Sequence, residues 1–154
     1  MDAKEYAQEI LEPVVSRYLR EQASKELAFA ACILSFHFVE YAAKSLNKER
    51  SEIENDLRSQ GYEFDVVHAV AVAAKHTSAD NQRLTYHGLK EADCMIATGH
   101  AFSDGTYFSD GTSYADHEDS IRVQTPDGNF HDLAFILPRL VNHIRSTLQT
   151  ASNP

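Results

Sequence analysis

The run from Leu27 to Ala43 constrains the fold more than any other part of the chain. It is apolar around nearly its whole circumference and is interrupted only by Ser35, His37 and Glu40. A helix at a surface shows one apolar stripe, whereas a helix apolar on most sides must be packed on most sides. Ser24 stands where an N-cap belongs, so the spacing predicts a central helix from about Lys25 to Leu46 with other helices around it. The polar interruptions keep the run short of the roughly 20 apolar residues that cross a bilayer. It therefore reads as a buried helix with no membrane role.

The flanking segments supply the neighbours. Asp2 and Glu5 have the spacing of a capping box, and apolar residues follow at 3, 6, 7, 10, 11, 14, 15, 18 and 19. Pro13 falls inside this stripe and either kinks the helix or starts a second segment at Glu12. The stretch 47–60 is strongly charged. Ser51 with Glu54 predicts a short exposed helix that Gly61 ends. Residues 64–76, FDVVHAVAVAAKH, contain valines that suit a strand, but their unbroken length and alanine content predict a helix.

Beyond His76 the pattern changes. Residues 77–90 are polar and irregular, and short strands are expected at 94–97, 112–115 and 120–125. Pro126-Asp127-Gly128 is a turn signal that pairs 121–125 with 129–131 in a hairpin. A last amphipathic helix runs from about 132 to 148 with Pro138 inside it. The end of the chain frays from 149, leaving a disordered tail at 151–154. The expected fold class is α+β, mainly α: a four- or five-helix bundle with a small antiparallel β insertion at about 94–131, before the C-terminal helix. With 154 residues, a single domain over 1–150 accounts for the whole.

Charge and cysteine content exclude several functions. Fourteen Lys plus Arg against 23 Asp plus Glu give a net charge of −9. Such a surface repels nucleic acid and leaves RNA binding only to a local basic patch. Arg83, His87 and Lys90 make a small basic spot that reads as solvated surface. Cys32 and Cys94 are too few and too far apart for a disulfide framework or a zinc ribbon. Met1-Asp2-Ala3-Lys4-Glu5 lacks the features of a secretion signal, so a cytoplasmic location is expected.

The candidate chemistry lies in polar residues set into the two apolar helices. His37 and Glu40, three apart, share a face, with Tyr41 and Lys44 adjoining. On the later helix, positions 65, 68, 72 and 76 form one line, which puts Asp65, His68 and His76 together with Lys75 close by. Unpartnered charges and imidazoles are costly to bury, so His37, Glu40, Asp65, His68 and His76 are expected to converge on one site. Three readings fit that set. One is a hydrogen-bonded network in which Lys75 or a histidine pairs with Glu40 or Asp65. The second is a divalent transition metal such as zinc, iron or manganese, with ligands from His37, Glu40, His68 and His76. The third is metal-free acid–base chemistry.

Other chemistries lack a motif. No Gly-x-Ser-x-Gly elbow, dinucleotide fingerprint or phosphate loop occurs, and both cysteines lie in apolar runs. Phe102-Ser-Asp-Gly-Thr recurs at Phe108. Two Asp-Gly turns explain the repeat, which is too sparse in acidic residues for a calcium loop.

Val70-Ala-Val-Ala-Ala-Lys-His76, preceded by His37-Phe-Val-Glu40, resembles a group of small bacterial proteins. These combine a His-x-x-acidic helix with a later Asn-Ala-x-Lys-His helix, a glycine-bearing β region and a final helix. Val72 takes the place of the group's Asn. That group is remotely similar to the HEPN domains, helical bundles that often act as ribonucleases in toxin and defence systems. HEPN enzymes carry an Arg and, after four to six intervening residues, a His. Ahead of His76, the corresponding positions hold Ala69, Val70 and Ala71.

The expected function is that of a small binding or regulatory protein with a polar site between two buried helices. A homo-oligomer or a protein partner is expected, from apolar surface on the first helix and in the Phe/Tyr-rich stretch 102–114. A HEPN-like ribonuclease, toxin or defence module and a metal-dependent enzyme are the alternatives.

Overall fold

The computed structural model describes residues 1–97 and 119–151. The chain starts with α1 (Ala3–Tyr6), a π-helical segment (Ala7–Leu11) and α2 (Glu12–Arg20) in one continuous path. The Asp2 carboxylate accepts from the Glu5 N–H at 2.8 Å, and the Asp2 N–H donates to Glu5 at 2.9 Å, closing the expected capping box. Pro13 is the second residue of α2, so the new segment does begin at Glu12. The π-helical segment immediately before it accounts for this: a proline ring excludes the α-type hydrogen bond to the carbonyl four residues back, and a widened turn accommodates the clash.

Helix α3 (Lys25–Leu46) has the predicted bounds. Ser24 Oγ accepts from the Leu27 N–H at 3.2 Å, and Asn47 closes the helix in the left-handed region at φ 51°. By length and composition α3 is apolar enough to cross a membrane, contrary to the expectation from its polar interruptions. In this fold it is the axis of the bundle, with α1, α2, α4, α5 and α6 packed around it.

Helix α4 (Arg50–Gln60) begins earlier than Ser51 predicts. Glu49 precedes it, and its N–H donates to Glu52 at 2.7 Å. Helix α5 (Glu63–His76) follows directly and supplies Phe64, Val67 and Val70 to the core.

The sheet is small and antiparallel, in the order β1 (Cys94–Ala97), β2 (Ser120–Gln124), β3 (Phe130–Asp132), with Ile96 opposite Ile121 and Val123 opposite His131. Thr125 and Asn129 flank its turn, and Gly128 adopts φ 86°, a conformation that a side chain would strain. Helix α6 (Leu133–Ala151) starts one residue later and runs three residues further than expected, carrying Pro138 within it. It packs against α3, α5 and the sheet. The architecture is mainly helical, with a small β insertion before the C-terminal helix. The expected strand at 112–115, the Phe102/Phe108 repeat and the tail at 152–154 lie outside the described residues.

Candidate functional site

The polar residues singled out in α3 and α5 meet only through a third helix. His37 Nδ1 lies 3.8 Å from Glu40 Oε2 on the exposed side of α3. Glu40 then pairs with Arg50 of α4 at 3.3 Å. Along α4, Glu54 sits between two cations: Arg50 Nε is 3.0 Å away and Arg58 Nη1 is 3.3 Å away. Arg58 Nε reaches Asp65 of α5 at 2.7 Å. The result is one seam of alternating charge, His37–Glu40–Arg50–Glu54–Arg58–Asp65, running from α3 over α4 to α5.

Beneath the seam lies His68. Its ring stacks on Phe36 of α3 at a centroid distance of 4.3 Å and tilts against Phe64 at 5.5 Å. The Arg50 guanidinium covers Phe36 at 4.6 Å, and that of Arg58 covers Phe64 at 5.2 Å. These cation–π contacts place two fixed positive charges over the slot that holds the imidazole. Burial pushes the His68 imidazole down to about 4. Arg58 and Arg50 act in the same direction, while Glu54 and Asp65 oppose it. The ring is thus neutral at pH 7, and its buried Nδ1 has no hydrogen-bond partner among the described residues.

The outcome for the expected site is therefore mixed. His37, Glu40, Asp65 and His68 border one seam, but His37 and Glu40 are solvent-exposed and owe their place to ion pairs. Lys75 and His76 do not join it. Both are exposed at the far end of α5, where eight residues separate His76 from His68, roughly 12 Å along the axis. The partners of Glu40 and Asp65 are Arg50 and Arg58, not Lys75. Nor do His37, Glu40, His68 and His76 form the expected metal set: among the described residues no three His, Cys, Asp or Glu side chains gather as metal ligands. A shared helical line fixes a direction, not a distance, and the length of α5 carries His76 away.

Arg50, Glu54 and Arg58 were the missing residues. Their spacing of four with alternating sign was a readable signal for one charged face. A second polar cluster was also missed. Glu63 opens α5 with its side chain 6% exposed, 3.6 Å from Arg139 and 3.8 Å from His143, both on α6. Burial lowers the His131 imidazole of β3, while Asp127 and Glu63 pull it back up. The only local signal was an acidic residue just after Gly61, at the entrance to an apolar helix.

No family model matches the chain, and neither the curated proteins nor the solved structures include a match to it.

Proposed function

We propose that this chain is a small binding or regulatory protein and that the seam joining α3, α4 and α5 is the surface through which it binds. His68 carries the reading. A ladder of ion pairs would hold α4 in place with any apolar residue beneath it. Here the residue beneath is an imidazole, neutral at pH 7, with a buried nitrogen that no group among the described residues meets. Polar groups left in this condition mark sites where a further contact is made. The seam above it offers alternating charges to a partner protein or to a second copy of the chain, a pattern suited to selecting register.

The test uses Glu40→Lys, a reversal at the exposed end of the seam that leaves the core untouched. Light scattering at tens of micromolar is expected to show wild-type assembly that this reversal weakens. The ribonuclease implied by the HEPN resemblance is the competing outcome. If purified chain degraded RNA and His68→Ala or His76→Ala abolished that degradation, the nuclease reading would replace the binding reading.

A further inference from the structure

The two arginines of the seam use only part of their donor forks within the chain. Arg50 gives Nε to Glu54 and Nη1 to Glu40, and Arg58 gives Nε to Asp65 and Nη1 to Glu54. The Nη2 atom of each meets no acceptor among the described residues. A guanidinium carries five N–H donors, and a carboxylate oxygen accepts more than one hydrogen bond. The ladder therefore has donors and acceptors left for a second ladder. They are within reach of solvent: the side chains of Glu40, Arg50 and Arg58 are 56%, 44% and 30% exposed.

The order of charge says what kind of second ladder fits. From α3 to α5 the seam runs His37, Glu40, Arg50, Glu54, Arg58, Asp65, and its sign alternates at each step. Turned end for end, a ladder of six alternating members has the opposite sign at every position. A two-fold axis between Arg50 and Glu54 performs that reversal. Arg50 comes opposite Glu54 of the second copy, and Glu40 comes opposite Arg58. His37, charged only when protonated, comes opposite Asp65. A slip of one place sets like charges against each other, so one register is selected. An unrelated protein would have to carry a matching ladder, whereas a second copy carries it by construction. Two chains of net charge −9 repel, and they approach most readily through a face where charges of both signs offset one another.

We propose that the seam is a homodimer interface, in which two copies pair antiparallel about a two-fold axis between Arg50 and Glu54. Arg58 Nη2 donates to Glu40 of the second copy, and Arg50 Nη2 donates to Glu54 of the second copy. This pairing rests on the reading of the seam as the binding surface, and it adds the partner and the register.

Charge reversals placed in separate chains test it. Sedimentation equilibrium of the full chain at low salt is expected to show a dimer at tens of micromolar. Glu40→Arg alone and Arg58→Glu alone should each weaken it about tenfold or more, because each sets like charges opposite one another twice across the axis. Mixed one to one, these two variants should recover a heterodimer, since each reversed residue then meets its complement. The internal pairs stay broken in both chains, so recovery on mixing reads only the contacts between copies. Arg50→Glu with Glu54→Arg repeats the test if Arg58→Glu fails to fold. A monomeric wild type overturns the pairing. So do reversals that weaken the dimer without recovery on mixing, an outcome that leaves the seam as the surface for a different protein. A dimer that none of the four reversals weakens overturns the pairing and the seam reading together.

Discussion

Arg58 Nε lies 2.7 Å from Asp65 Oδ1, and this contact closes the corner between α4 and α5. Both side chains are partly buried, and Arg58 also packs over Phe64. Removing one partner leaves the other charge in a poorly solvated position, which costs more than the pair contributes. Arg58→Ala is expected to destabilise the fold by about 1–3 kcal/mol in urea unfolding. Adding Asp65→Asn should recover part of that loss, because the stranded charge is gone. At the other end of the seam Glu40 is 56% exposed, so Glu40→Ala should cost less than about 1 kcal/mol. Equal losses at the two positions would contradict this ordering.

His68 sets an acid limb on stability. Its folded imidazole is pushed down to about 4, below the ordinary 6.5. As pH falls through 6.5 the unfolded chain takes up the proton and the folded chain does not. The stabilisation is full above 6.5 and is lost progressively toward 4. His131 is shifted the same way by burial and contributes with the same sign. Urea midpoints measured from pH 7 to 4 should fall less steeply in His68→Leu than in the wild type. Parallel curves would mean that His68 titrates freely in the folded state.

Asp132 ties the sheet to α6. One carboxylate oxygen accepts from Ser120 Oγ at 2.7 Å and the other from the Ala134 N–H at 2.8 Å, in a fully buried position. Asp132→Ala removes a helix cap and strands a buried hydroxyl, at a cost of about 2–4 kcal/mol. Ser120→Ala should cost less. Thermal unfolding of the two variants checks the order.

The cysteines should behave as core residues. Burial pushes the Cys94 thiol up to about 12 and that of Cys32 well above the ordinary range. Both are free and fully buried. Labelling by a thiol-specific disulfide reagent is expected to be slow in buffer and complete within the mixing time in concentrated urea. Fast labelling of native protein would show that α3 or β1 opens readily.

The elements legible in the sequence were those whose residues face the core. Leu27 to Ala43 and Phe64 to His76 are long apolar runs, and burial enforces what such runs favour. Ser24 and Asp2 cap as their positions suggest, because a cap is a contact over three residues. The start of α4 was misplaced because Ser51 looks like a cap, yet the carboxylate three residues beyond Glu49 does the bonding instead. The candidate site was legible in half. Helical spacing showed that His37 and Glu40, or Asp65 and His68, share a face. It gave no means of knowing that Arg50 and Arg58 would lie between the two helices, or that Glu63 of α5 would face Arg139 and His143 of α6. Contacts of that kind depend on how elements dock, which no local period encodes.

Helix α4 adds only Ile53 and Leu57 to the core; the rest of its described attachment is ionic and cation–π, with one hydrogen bond from Gln60 to Thr147 of α6. Ion pairs weaken with salt, whereas apolar burial does not. The lifetime of α4 on the bundle is therefore set by ionic strength more than that of any helix seated through a broad apolar face, such as α3 or α5. Raising salt should quicken amide hydrogen exchange in α4 before it does so in α5, and each opening of α4 would bring His68 within reach of solvent. The medium then sets how often that imidazole is exposed.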